Sequence, residues 1–478
     1  MERVLKSHPS TPSATGLGVK TLLNQHLECQ RRTVSQVNGT HVLRVRRAKS
    51  AEIGQQGPVA ADGQRQHRIS QKEEPVLLIG IDHSPKKHDV CIMDEEGCQI
   101  ACISIPGTVA GFEQLHTACQ ELEISPQDCL MAIETDHSLL VDYLLDYGYQ
   151  VYIIPGRLVH DSRSRFRQSR SCSDPADAAV LAHILRTDRK LHQPWVADTS
   201  LTRQIRSQVK LVDNLTRNIV RFTNQLRGLL WRYYPIAANL FSSLDSQIAL
   251  KFIQAFPSPQ AAKALTQAEF THFCRSHNYR RSDLITQRYG QLSTAQTYAS
   301  SEIAVSYVDQ ARSLARVVHS LVLEKIAAQK ALTGTFEQHP DAFIFTSLPG
   351  AGEFLAPALL SKFRDHRGRF PTAAVAQAVA GTCPVTIESG KRKKHVRFRR
   401  ACDREFRYYM TQFARSSTLQ APWARAYFDS VRPRHAKVTQ AYRRLANRWV
   451  SIIWRLWMDR VEYDEALHQR NRLKRGKA

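Results

Sequence analysis

Four carboxylates carry the chemistry that this chain advertises. Asp82 ends the run VLLIGID (76–82), Glu134 ends LMAIE (130–134), and Asp174 and Asp177 stand in SDPADAA. An unbroken Val/Ile/Leu run of this length reads as a strand buried on both faces. A carboxylate at the mouth of such a strand is costly unless a cation compensates it. Asp174 and Asp177, three residues apart, share one face of a helix and reach one ion together. Two strand ends and one helix face therefore predict an acidic cluster at one end of a sheet. Mg²⁺ is the natural occupant, because it takes a few carboxylates together with water and phosphate oxygens. A pair of such ions about 3.5–4 Å apart serves phosphoryl transfer. Blander roles compete. Asp174 before Pro175 is a good helix cap. Glu134 alone is also a plain surface carboxylate, and Asp136 reads as the cap of the next helix.

The elements that must position these acids follow from periodicity. Strands are expected over 76–82, 89–93 and 99–105, with a hairpin turn at Glu95, Glu96 and Gly97. A helix over 109–122, a strand over 130–134, a helix over 137–147, a strand over 150–154 and a helix over 174–186 complete the region. Three meandering strands followed by alternating helices and strands predict an α/β domain of ribonuclease H-like (RuvC-like) order over 75–195.

Beyond it, 196–338 is helical. Val212, Leu215, Ile219, Phe222, Leu226 and Leu229 step by three and four, a coiled-coil seam. Tyr307, Ala311, Leu314, Val318 and Leu321 repeat the pattern. The two helices flank a Pro-broken insert and make an antiparallel hairpin, a dimerisation arm or an ordinary pair packed within one subunit. The third region, 339–465, is mainly α. Its Leu348-Pro349-Gly350-Ala351-Gly352 turn reads as a helix-hairpin-helix element offering backbone N–H groups to phosphate. A basic run at 391–400 follows Ser389-Gly390, where Ser389 by itself is a turn residue. Leu445, Trp449, Ile452 and Leu456 line one face of the last helix. Residues 1–74 read as a basic, disordered arm and 466–478 as a basic tail.

Charge sets the class of partner. Of 478 residues, 67 are Lys or Arg against 43 Asp or Glu, a net charge of +24. Such a surplus favours nucleic acid, whose condensed counterions Lys and Arg displace. The ten cysteines include no CxxC pair, which argues against a zinc finger or a disulfide framework. No apolar span of membrane length and no signal-peptide core occur, so a cytoplasmic, nucleoid-associated protein is expected.

The motifs IGIDHSPKKHDVCI, AIE before a helix, YQVYIIP and SDPADAAVLAHIL resemble the N-terminal domain of DEDD-type insertion-sequence transposases, relatives of the Piv DNA invertase. From LPGAG through FPTAAVAQAVAGTCPVTIESGKRKK the chain resembles the Tnp domain of the same family. The resemblance spans about 75–460. It implies that Asp82, Glu134, Asp174 and Asp177 are the metal-binding DEDD residues, with Mg²⁺ as cofactor and two ions per site. It also implies that Ser389, in the stretch from Pro384 to Gly390, is the nucleophile for Mg-dependent DNA cleavage and rejoining. Thr386 is the nearest rival hydroxyl, and Tyr408 and Tyr409 read as helix packing. The family further implies a DNA substrate, a structured non-coding guide RNA and a homo-oligomer, dimer or tetramer. The chain departs from the family at Thr135-Asp136-His137-Ser138, at Cys172-Ser173 and at HVRFRRACDREFR. Two other functions compete: a hydrolytic RuvC-like nuclease of the Holliday-junction resolvase type, and a decayed, non-catalytic DNA- or RNA-binding copy.

Overall fold

Strand β1 (Leu77–His83) lies at the centre of a five-stranded sheet of order β3-β2-β1-β4-β5. The structure is a computed structural model that describes residues 76–136, 138–166, 173–294, 301–388, 395–467 and 470, without the side chains of 301–304 and 395. The basic arm and Ser389 lie outside the described residues. β2 (Lys87–Met93) and β3 (Gln99–Pro106) continue from β1 as an antiparallel meander. β4 (Cys129–Ile133) and β5 (Gln150–Ile153) run parallel to β1 on its other side.

Alternation along β1 explains the layers. Leu77, Ile79 and Ile81 pack with Phe112 and Leu115 of α1 (Val109–Gln120) and with Leu140, Val141 and Leu144 of α2 (Leu139–Asp146). Leu78 faces the opposite layer, with Val159 of α3 (Gly156–Phe166) and Leu181 and Leu185 of α4 (Asp174–Asp188). Gly80 is glycine because α4 presses on it: a Cβ there would sit 1.9 Å from the Ala178 carbonyl. Close approach of this helix to the central strand brings the Asp174–Asp177 turn to the sheet.

Three local expectations are corrected. Ser173 occupies the cap position of α4, so Asp174 is the first helical residue and does not cap. Ser138, not Asp136, caps α2 by accepting from Leu140 N. A helix that the sequence reading stopped short of, α3, begins directly after Pro155.

The chain divides into two compact units, the first ending at Ala197 and the second starting at Asp198. Among its described residues the second holds helices and one short hairpin as its regular elements. α5 (Ser200–Tyr233) and α6 (Ser301–Glu337) pair along their length. Tyr233 near the end of α5 stacks on Tyr307 near the start of α6, and Val209 shares a core with Leu332, so the helices run antiparallel. Short helices between 235 and 294 pack on this pair. The buried seam of α5 holds Val212, Ile219, Leu226 and Leu230, whereas Leu215, Phe222 and Leu229 lie at its edge. A step of three or four leaves adjacent rows to compete, and here the row through Thr223 and Leu230 faces inward.

The rest of the unit is built from α7 (Ala342–Thr346), α8 (Gly352–Phe363), α9 (Ala373–Val379), the hairpin β6 (Val385–Ile387) and β7 (His395–Arg397), α10 (Arg404–Ser417), α11 (Pro422–Val431) and α12 (Val438–Asp459). Phe363, Phe370, Phe406, Phe413, Trp449 and Trp457 fill its core. On α12 the fully buried row ends with Ile453 and Trp457; Ile452 and Leu456 flank it. Gly350 has φ +81° and meets the Ser416 backbone, a Cβ there lying 2.8 Å away. Its glycine thus has a packing role against α10. Tyr409 is buried, as packing requires, but Tyr408 is 47 % exposed.

A polar knot closes the base of the helical pair. Asp365 accepts from Thr199 N at 2.7 Å and Thr202 Oγ1 at 2.7 Å, and His339 Nε2 lies 3.0 Å away. Burial alone would raise the Asp365 carboxyl, but His339, Thr202 and Thr199 together hold it below the usual carboxylate range. Its contribution is therefore present at neutral pH and lost as the pH falls below that range. Asp365→Ala is expected to cost about 1–3 kcal/mol at pH 7 and to flatten the acid side of the stability profile. Urea titrations of both proteins from neutral to acid pH check this; equal midpoints throughout would show that the knot is not stabilising.

Candidate active site

The parallel register of β1 with β4 sets two acids side by side. Ile81 pairs with Ile133, so Asp82 and Glu134, each one residue further, emerge together at one end of the sheet. β2 adds a carboxylate that the sequence reading left unassigned: Asp89 stands opposite Asp82 and is 5 % exposed. Asp174 and Asp177 form the first turn of α4.

Electrostatics shows that these groups share one neighbourhood. The Asp82 carboxyl is pushed up to about 6, first by burial and then by the charges of Asp174, Asp177, Glu134 and Asp89. Glu134 is raised too, by partial loss of water and by Asp177, while Arg163 pulls it down. Four negative groups thus oppose ionisation of Asp82, and among the described residues it has no ion-pair partner.

Asp177, Asp89 and Asp174 are held by basic side chains. Arg163, on α3, grips Asp177 with both arms of its guanidinium, Nε to Oδ1 at 2.8 Å and Nη2 to Oδ2 at 2.6 Å. Lys87 Nζ donates to Asp89 Oδ2 at 2.8 Å and lies 3.4 Å from Asp174 Oδ2. As the side chains stand, no three His, Cys, Asp or Glu among the described residues are arranged to hold a metal ion. The site is an acidic end of a sheet whose compensating charge comes from Arg163 and Lys87.

Gly156 completes the arrangement. A Cβ there would lie 2.6 Å from Glu134 Oε2, so glycine at the start of α3 leaves the space that the carboxylate fills. Both Gly156 and Arg163 were missed from the sequence, where Pro155-Gly156 reads as a strand stop. A usable signal exists: Leu158, Val159, Ser162 and Phe166 keep helical spacing after it.

The donor set suits a hard cation. Mg²⁺ takes oxygen donors, a few carboxylates together with water and phosphate oxygens, and Asp82 is raised first by burial and then by neighbouring acids that lack sufficient positive charge. Ser389 belongs to the second unit and falls in the segment between β6 and β7. Its flanks are described: Pro384 and Thr386 are exposed.

Comparison with known proteins gives the lineage. The IS110-type DEDD transposase family model, described as transposase, matches residues 79–235. A second, described as transposase of the IS116/IS110/IS902 family, matches 342–429. The "Mini-circle putative transposase for IS117" of Streptomyces coelicolor is 31% identical over 402 residues, 81% of this chain and 95% of that protein. The "Insertion element IS900 uncharacterized 42 kDa protein" of Mycobacterium paratuberculosis is 27% identical over 396 residues, 81% of this chain and 97% of that protein. The "Insertion element IS110 uncharacterized 43.6 kDa protein" of Streptomyces coelicolor is 25% identical over 324 residues, 67% of this chain and 79% of that protein. Among the described residues no helix is long and apolar enough to cross a membrane. The matched regions include all four sequence-predicted carboxylates and the segment with Ser389, and the chain belongs to the IS116/IS110/IS902 family of insertion-sequence transposases.

Proposed function

We propose that this protein cuts and rejoins DNA strands in a Mg²⁺-dependent reaction, with Asp82, Glu134, Asp174 and Asp177 holding the metal and Ser389 as nucleophile. The observation that carries the reading is the Asp82 carboxyl, raised to about 6 by burial and by the surrounding acids. A half-buried acid crowded by like charges is a deficit that a divalent cation corrects. Bound there, Mg²⁺ would neutralise charge on the phosphoryl oxygens of a DNA strand.

The protein's own groups divide the work. Asp82 and Glu134 are anchored by adjacent strands, so their oxygens are held by the sheet rather than by a loop. Arg163 fixes the orientation of Asp177 through its two-point grip. Ser389 Oγ attacks a DNA phosphorus; one phosphorus–deoxyribose oxygen bond breaks, and the serine proton goes to the departing oxygen. The phosphoserine ester keeps the bond energy, so a second strand's hydroxyl can displace serine and rejoin the DNA without outside energy. A structured guide RNA paired to both DNA partners supplies sequence choice in this reading, and the +24 net charge suits holding two polyanions.

The direct test incubates full-length protein with supercoiled DNA carrying the sequence that flanks its gene, with Mg²⁺ or with EDTA, and with RNA transcribed from that flank. Cleavage and joining only with Mg²⁺ are expected. Metal-independent cleavage would remove the role given to the carboxylates. A gentler probe is Gly156→Ala. The atoms nearest its methyl are the far end of the Glu134 side chain, so the fold should survive while Glu134 is displaced. The melting temperature should hardly move, and Mn²⁺ affinity should fall about tenfold. Unchanged Mn²⁺ affinity would place Glu134 outside the metal site.

A further inference from the structure

An aromatic ring clasped by uncompensated guanidinium groups stands apart from the carboxylates, in the second unit. Phe398 follows β7 and is 46 % exposed. The Arg407 guanidinium carbon lies 4.5 Å from its ring centroid, and that of Arg443 lies 4.4 Å away. Arg407 comes from α10 and Arg443 from α12, so two separate helices aim cations at one ring.

Neither guanidinium is balanced by an acid. Arg407 Nη1 donates to the Arg399 carbonyl at 3.0 Å and to Cys402 Sγ at 3.2 Å, which fixes its plane and leaves its charge unmatched. Among the described residues Arg443 makes neither an ion pair nor a hydrogen bond; it has only the ring. Burial and the charge of Arg407 both work against its ionised form. Arg399 adds a buried Nε with no partner. The nearby acids are committed elsewhere: Asp403 and Glu405 both pair with Lys362 at 3.0 Å, and Glu405 also pairs with Lys210 at 2.5 Å. The scaffold is firm, because Asp403 caps α10 through Phe406 N and its own N–H donates to the Val379 carbonyl.

Stacking on Phe398 explains how two like charges are kept close, but not what balances them. Guanidinium groups match the oxygens of a phosphodiester, which accepts from several donors at once. We propose that Arg407 and Arg443, clasping Phe398, together with Arg399 next to it in the chain, form a binding subsite for one backbone phosphate of the nucleic acid on which the protein acts. This rests on the transposase reading above, and it adds a contact that the carboxylates and the serine do not supply.

The test measures binding, not cleavage. Full-length wild type, Arg443→Gln and Arg399→Gln are titrated without Mg²⁺ against a labelled DNA duplex and against an RNA hairpin, across a range of salt concentrations. A lost phosphate contact lowers the slope of log affinity against log salt by about one. That reduction is expected in the DNA arm, with severalfold weaker binding. A reduction in the RNA arm alone assigns the same subsite to an RNA phosphate. Arg443→Lys keeps the charge and should keep the slope. Loss of thermal stability with both slopes unchanged would overturn the proposal and leave the cluster as packing. Failure of the wild type to bind either probe would overturn the nucleic-acid reading itself.

Discussion

Asp82→Asn is expected to abolish Mg²⁺-dependent DNA cleavage while leaving a folded, more stable metal-free protein. Asn keeps the shape and removes the charge that burial and four neighbouring acids oppose. Without metal, that charge is a cost to the fold; in the proposed metal site it would be a ligand. The two effects therefore have opposite signs. Metal stabilisation of the reacting phosphate is worth several kcal/mol, so a loss of about 10³-fold in cleavage rate is expected. A melting temperature above wild type in EDTA should accompany it. A fall in both quantities would mean that Asp82 is a structural residue of the strand end.

Ser389→Ala should be equally severe, and its signature is chemical rather than energetic. The wild type should form a protein–DNA adduct that survives denaturation, and protease mapping should place it on Ser389. The alanine variant should form none and lose at least about 10³-fold in strand cleavage, the scale on which removing a covalent nucleophile is felt. Its binding to DNA should be unchanged. Cleavage at the wild-type rate without an adduct would assign the attack to water and make the protein a hydrolytic nuclease. Transfer of the adduct to Thr386, which is exposed on β6, would identify that hydroxyl as the nucleophile instead.

The sheet was legible in the sequence because strand ends are written locally. The apolar runs before Asp82 and Glu134 both end at a carboxylate, and the parallel register puts those ends beside each other. The helix after residue 173 was legible from Pro175 and the apolar spacing behind it. What surrounds the acids was not. Arg163 reaches Asp177 from a different helix, and Lys87 reaches Asp174 across a turn and a layer. Such pairings depend on how elements pack, which no local pattern records. Asp89 hid for a related reason: at the start of an apolar strand, it reads as a boundary rather than as an acid facing Asp82. The long helices show a milder loss. Their existence was plain, but the inward row was not, since Ile452 and Ile453, or Leu229 and Leu230, satisfy the same spacing. Packing chose Ile453 and Leu230.

Arg163 and Lys87 also define the resting state. They give Asp177 and Asp174 ion-pair partners and leave Asp82 and Glu134 without one among the described residues, so in the proposed site an incoming cation would find two acids free and would compete with Arg163 and Lys87 for the other two. Metal binding and the acidic cluster are thus a single claim. Isothermal titration of full-length protein with Mn²⁺, beside Asp82→Asn and Asp177→Asn, tests it most directly. The expected result is saturable binding by the wild type that both variants lose or weaken at least tenfold while remaining folded. Equal Mn²⁺ affinity in all three proteins would contradict the assignment of these carboxylates as the metal site.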